Sequence, residues 1–149
     1  MFRTSSAQVY AADEVPVSGK SGIFSYNKYS DHVAIWSVDS SATDVEIPSS
    51  IEGVPVTVID MYAFQYTSVT SVKIPDTVTE IGNWAFAMCF KLTSITIPDS
   101  VKKIGIRAFE SCSALDEVKF PDHLVEISSK AFKETPWLDA QRKKNPMVL

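Results

Sequence analysis

The feature that most constrains this chain is a repeat. Ala-Phe occurs at 63–64, 85–86, 108–109 and 131–132, at spacings of 22, 23 and 23 residues. Ile-Pro or Phe-Pro falls at 47–48, 74–75, 97–98 and 120–121, so the stretch Ile97–Phe120 ends where its next copy begins. A period in the twenties describes a stacked solenoid, because one unit cannot bury its own apolar face and its neighbours must supply the other wall. Aligning the units shows the columns. Val69/Leu92/Leu115, Val72/Ile95/Val118 and Ile74/Ile97/Phe120 recur at the first, fourth and sixth places of a short segment, the last two alternating as a strand does. A second apolar pair follows, Val78/Ile81, Val101/Ile104 and Leu124/Ile127, and then the Ala-Phe turn. Small Ala beside large Phe suits a tight inward turn in which one ring fills each layer, contributing on the order of 2–3 kcal/mol per ring by area alone. The expected fold is a β-rich repeat solenoid of about four rungs over residues 42–134, wound right-handed.

The flanks read as caps. Residues 22–29 carry Phe24, Tyr26 and Tyr29, Ser30-Asp31 is turn chemistry, and 32–38 (HVAIWSV) is rich in strand formers. A β-hairpin over 21–41 is expected to cover the open first rung, whose backbone groups and side chains would otherwise be bare. Residues 1–20 are expected to be a flexible leader or a signal-peptide remnant, since Val9 to Ala12 has the small residues of a cleavage site without an apolar stretch before it. The first unit is atypical: Pro48 to Ile59 spans eleven positions where the later units span six, and Glu52-Gly53 supplies a turn within the extra residues. At the other end, residues 135–149 are expected to form a short helical cap and to continue into a longer chain. Thr135 would cap the helix and Pro136 open it, Trp137 and Leu138 would pack on the last rung, and Asn145-Pro146 would stop it.

The motif IP-(D/S)-x-V-xx-I-G-xx-A-F-xx-C-xx-L-xx-(I/V)-x-I-P, matched almost throughout by Ile97–Phe120 and nearly as well by Ile74–Ile97, resembles the BspA-like leucine-rich repeats. The resemblance covers residues 42–139, and the β-hairpin and the Thr135–Leu138 turn are similar to that family's flanks. It implies a leucine-rich-repeat-like solenoid in a secreted or cell-surface protein, often bacterial, whose repeats bind proteins or glycans in adhesion or assembly. It implies no catalytic residue and no cofactor. A structural spacer presenting another module of a larger surface protein is the alternative role.

Little in the composition points to other chemistry. A net charge of −4 gives no electrostatic case for nucleic acid, and no apolar run reaches membrane-spanning length. His32 and His123 stand alone, and Asp76, Asp99 and Asp122 follow proline as turn residues, so neither an active site nor a metal site is expected. Ser18-Gly19-Lys20-Ser21 ends like a phosphate loop but lacks the earlier glycine, because position 14 is Glu14. Cys89 and Cys112, 23 residues apart, read as buried core thiols, with a disulfide or a reactive thiol as the alternative. The chain is expected to be a monomer or part of a larger protein.

Two surfaces are candidates for binding. The first is an aromatic cluster beside the Ala-Phe turns: Tyr62, Tyr66, Trp84, Met88 and Phe90. Matching positions in later units are polar (Arg107, Ser111, Ser113, Lys130), so the cluster is confined to the early repeats. The competing reading is that the N-terminal segment folds over it. The second is the strand face, with outward columns Asp44/Ser71/Ser94/Glu117 and Glu46/Lys73/Thr96/Lys119. There Lys73, Thr96, Glu117 and Lys119 would make polar contacts. Desolvating Trp or Tyr yields more binding energy than ordering Ser and Thr, which favours the aromatic cluster.

Overall fold

The computed structural model describes residues 14–123 and 125–146. Its spine is one sheet that changes character along its length. β1 (Val17–Ser21), β2 (Phe24–Lys28) and β3 (Val33–Val38) run antiparallel. From β3 onward the order is parallel: β6 (Val54–Ile59), β8 (Glu80–Ile81), β10 (Lys103–Ile104) and β12 (Glu126–Ile127). The hairpin therefore caps the solenoid as expected, with β3 joining the antiparallel and parallel parts of the one sheet. Opposite this spine lie the short strands β4 (Asp44–Glu46), β7 (Ser71–Lys73), β9 (Ser94–Thr96) and β11 (Glu117–Lys119), paired β4 with β7 and β9 with β11.

The layers close on a column of phenylalanines. Phe64, Phe86 and Phe109 are fully buried and Phe132 nearly so, with successive ring centroids 4.7, 5.0 and 5.0 Å apart. The last two pairs are parallel to within 2°. That spacing is one strand separation, so the rings rise with the backbone ladder and each fills its own layer. Ala63, Ala85, Ala108 and Ala131 are buried beside them. The turn's backbone is satisfied by the next rung: Phe64, Phe86 and Phe109 N–H groups donate to the carbonyls of Ala85, Ala108 and Ala131 at 2.7 Å each. Gly82 and Gly105 are needed for this approach, since a Cβ on Gly82 would sit 2.8 Å from Met61 N and one on Gly105 2.6 Å from Asn83 N. Both glycines permit close backbone contact between rungs.

The extra residues of the first unit form a small hairpin, β5 (Ser50–Ile51) paired antiparallel with the start of β6. Glu52 and Gly53 both take positive φ, 51° and 77°, as a two-residue hairpin turn requires. Glu52 also ties this hairpin to the cap: its carboxylate accepts from the Tyr26 hydroxyl and from the Lys28 ammonium. Lys28 first, and then Tyr26, hold the Glu52 carboxyl below the ordinary range.

The C-terminal cap is α1 (Pro136–Lys144). Thr135 caps it, its Oγ1 accepting from Leu138 N at 3.2 Å, and Arg142, Lys143 and Lys144 occupy the last turn where positive charge suits the helix dipole. Trp137 packs at 4.8 Å from Phe132 and 5.5 Å from Phe120, and Leu138 is buried.

Three expectations need correction. The leader was expected to be flexible through residue 20, yet Val17–Ser21 is strand β1. Its cohesion is tertiary: the Tyr26 ring lies over Gly19, where a Cβ would meet Tyr26 Oη at 2.5 Å, and Ser18 Oγ donates to Asn27 Oδ1. Residues 1–13, including the cleavage-like Val9–Ala12, lie outside the described residues, as does Leu124. The apolar column that ends in Ile127 is buried at Ile81 and Ile104 but open at Ile127, which is 46% exposed because β12 is the last strand of the sheet. Finally, the opposite face is not one continuous sheet. β7 and β9 are neighbours that share no ladder, so the face divides between the second and third rungs.

Candidate binding surface on the turn edge

Each Ala-Phe turn contains two residues in the left-handed region, four apart: Tyr62/Tyr66, Trp84/Met88, Arg107/Ser111 and Lys130/Glu134, with φ between 52° and 65°. For residues other than glycine this conformation carries a cost of order 1 kcal/mol each. The rung-to-rung hydrogen bonds hold it. Tyr62, Trp84 and Arg107 N–H groups donate to Asn83, Ile106 and Ser129, and Tyr66, Met88 and Ser111 N–H groups donate to Ala87, Glu110 and Lys133. Two outward columns follow, and their side chains sit two residues from the buried Phe on either side.

The first column reads Tyr62, Trp84, Arg107, Lys130. Tyr62 stacks on Trp84 at 5.6 Å and 28°, and the Arg107 guanidinium lies over the same indole at 6.0 Å. Trp84 is half-buried between them, whereas Tyr62 is 46% exposed. Beside it Tyr66, 62% exposed, meets Phe90, 51% exposed, edge to face at 6.3 Å. Met88 is half-buried. The five residues singled out in the sequence therefore share one edge of the solenoid, as two ring contacts with Met88 in line. Among the described residues the cap hairpin leaves Tyr62, Tyr66 and Phe90 open to solvent.

Three further residues on this edge were not legible in the sequence. Met61 and Ile106 are exposed in the column just before the ladder. Trp36, 44% exposed, is brought to the same side because Asp60 N donates to Ile35 O, setting β3 beside the start of the first turn. Alternation within residues 32–38 hides this role, since β3 is flanked by β2 and β6 and Val33, Ala34 and Ile35 are all buried. Reading Trp36 as a surface residue requires knowing which strand lies next to it.

At the later rungs the edge becomes ionic. Glu110 is buried and accepts from Lys133 Nζ at 3.0 Å and Arg107 Nη1 at 3.4 Å, so its carboxylate is paired twice. Glu134 takes Lys133 at 2.8 Å and the Ser111 hydroxyl at 2.6 Å. Lys133 is held above its ordinary value by Glu134 first and Glu110 second.

The strand face has the register expected of it: Asp44 opposite Ser71, Glu46 opposite Lys73, Ser94 opposite Glu117 and Thr96 opposite Lys119. The columns are exposed and much of their charge is paired locally, Lys73 with Glu46 at 2.8 Å and Lys119 with Glu117 at 3.3 Å. Where β7 and β9 part, a shallow depression of about 580 Å³ opens, lined by Ser71, Lys73, Ser94, Thr96 and Phe120 among others. Its walls mix hydroxyls and the charges of Lys73, Asp76 and Asp99 with Pro98, Pro121 and the half-buried Phe120 ring.

Under the turn edge lies a column of small hydrogen-bonding groups, Thr67, Cys89, Cys112 and Thr135, all buried. Cys89 Sγ donates to Phe64 O at 3.1 Å and Cys112 Sγ to Phe86 O at 3.0 Å, while Thr67 and Thr135 donate to Phe64 O and Phe132 O. Both cysteines are free thiols serving the turn backbone. The adjacent Cys89 sulfur and burial push the Cys112 thiol up.

The comparisons with known proteins agree with this architecture. Residues 37–144 match the BspA type leucine-rich repeat region in six copies, a match that starts in β3 and ends in α1. A leucine-rich repeat protein from Bacteroides capillosus superposes with a TM-score of 0.74 at 30% identity, covering 82% of this chain and 94% of that one. A T. pallidum leucine-rich repeat protein gives 0.61 at 26% identity over 78% and 67% of the two chains. A leucine-rich cell surface protein from Faecalibacterium prausnitzii gives 0.55 at 25% identity, covering 83% of this chain and 48% of that one. No curated protein matches the sequence. The repeat, its phenylalanine column and its caps place the chain in the BspA type leucine-rich repeat family.

Proposed function

We propose that the chain is a non-catalytic recognition module of a secreted or cell-surface protein, engaging a protein or glycan partner through the turn edge of its repeats. One observation carries this reading: Tyr62, Tyr66 and Phe90 are exposed aromatics on the turn edge, where the Tyr62 and Tyr66 N–H groups are already bonded to the next rung. Neither packing nor the turn asks for large rings there, and the later rungs fill the matching places with Arg107, Ser111 and Lys130. Exposed aromatic clusters of this kind supply most of the energy at recognition surfaces. The surface location is supported by the family and by the likeness to the F. prausnitzii cell surface protein.

A glycan array and a peptide array, probed with the full chain and two variants, test this. Binding should fall by about 2 kcal/mol or more in Trp84→Ala and change little in Lys73→Ala. Hits lost in Lys73→Ala and retained in Trp84→Ala would move recognition to the depression between β7 and β9.

A further inference from the structure

The turn-edge ladder changes chemistry in one direction, and that gradient bears on the kind of partner it takes. Resting on the recognition reading above, we propose that its occupant is an extended acidic segment of a protein, placing apolar side chains on Tyr62 and Trp84 and carboxylates on Arg107 and Lys130.

Three observations carry this. First, both faces of Trp84 are occupied, one by Tyr62 at 5.6 Å and the other by Arg107 at 6.0 Å. A sugar ring packs flat on a free aromatic face, and the indole offers its edge, which suits aliphatic or aromatic side chains of a peptide. Second, the column goes on as cations. The local charges are Arg107, Lys130 and Lys133 against Glu110 and Glu134, leaving a net positive end on a chain whose total is −4. Glu110 is shared by Lys133 and Arg107 and Glu134 is engaged by Lys133, while exposed Lys130 has no carboxylate at ion-pair distance among the described residues. Third, the dimensions fit. Rings two residues away rise by 4.7 to 5.0 Å per rung, so the four-residue column spans roughly 15 Å, the reach of about five residues of extended chain. Met61 and Ile106, exposed alongside, widen the apolar part.

The experiment is selection of a phage-displayed random dodecapeptide library on the full chain, repeated on variants whose circular dichroism matches it. The expected peptides combine aromatic or branched apolar residues with an excess of Asp and Glu. Synthetic versions should lose about thirtyfold in affinity with Trp84→Ala. They should lose about tenfold with Arg107→Glu/Lys130→Glu, and weaken as salt rises through the range that screens surface charge. The double charge variant should in turn select basic peptides. If Trp84→Ala proves unstable, Tyr62→Ala gives the same reading at an exposed position of the same column. Peptides that need Trp84 yet show no acidic excess would overturn this inference and leave edge recognition standing. Peptides indifferent to Tyr62, Trp84, Tyr66 and Phe90 alike would overturn both. A glycan bound through Trp84 with no peptide selected would replace the protein partner by a sugar.

Discussion

Within one turn of this solenoid, two columns two residues apart obey different rules. The inner column is Phe64, Phe86, Phe109 and Phe132, the same residue in four rungs, stacked at one strand spacing and sealed from water. The outer column is Tyr62, Trp84, Arg107 and Lys130, four residues sharing a backbone conformation and little else. Over the first three rungs the N–H groups of both are bonded by the same rung-to-rung ladder, so the difference lies only in where the side chain goes. Where it fills a layer, one shape fits. Where it leaves the layer, the fold makes no demand, and the residue is free to serve a partner.

The sharpest way to break the inner column is to remove one ring from its middle. Phe109 has stacked neighbours on both sides, so Phe109→Ala is expected to cost ~3–5 kcal/mol and to lower the urea midpoint of the whole array as one transition. A loss below half of that would mean that the layers relax independently. Gly105→Ala should come next, at about 1–3 kcal/mol, since the new methyl must displace the Asn83 backbone or loosen the adjoining rung.

The cysteine column gives a smaller effect with a defined sign. Cys112 keeps its proton to higher pH in the folded state than in the unfolded chain, whose thiol titrates near ~8.5. Below that value both states are protonated and the group contributes no pH dependence. Above it the unfolded chain loses the proton first, so the Cys112 contribution to stability is expected to decline as pH rises past ~8.5. Cys89, whose thiol the Cys112 sulfur holds below its ordinary value, contributes in the opposite sense. Urea midpoints from pH 7 to 10, for wild type and for Cys112→Ser, check this: the extra slope should vanish in the variant. Thiol reagent should leave the native protein unlabelled and count two thiols after unfolding.

Two substitutions sharpen the outer side of the comparison. Tyr66→Ser/Phe90→Ser places at these sites the residues that the third rung carries there, Ser111 and Ser113, and should cost less than ~1 kcal/mol because both rings are more than half exposed. Lys73→Ala on the strand face removes one exposed ion pair and is expected to change stability by under ~0.5 kcal/mol.

What the sequence disclosed and what it hid follow the same division. The Phe column, the register of the strand columns, the Glu52-Gly53 turn and the Thr135 cap were all readable, because each rests on local spacing or on a residue type with one job. Strand β1 was hidden because Val17–Ser21 has little strand character of its own and is held by Tyr26 over Gly19. The exposure of Ile127 was hidden because a repeat motif does not say which copy is last. The seam between β7 and β9 has no sequence signal that we can identify, since Val72 and Ile95 match their columns on either side of it. Of the turn-edge surface, Tyr62, Tyr66, Trp84, Met88 and Phe90 stood out as aromatics and a methionine where later repeats are polar. Trp36 joined them only once β3 was seen beside β6.

In the free protein the outer aromatics face solvent. Acrylamide quenching of Trp84 emission tests it most directly, in a chain carrying Trp36→Phe and Trp137→Phe so that one indole remains. Quenching is expected well above that of a sealed core tryptophan and below that of free indole, as a half-buried ring between Tyr62 and Arg107 requires. A blue-shifted emission that acrylamide does not reach would contradict it and return Trp84 to the core.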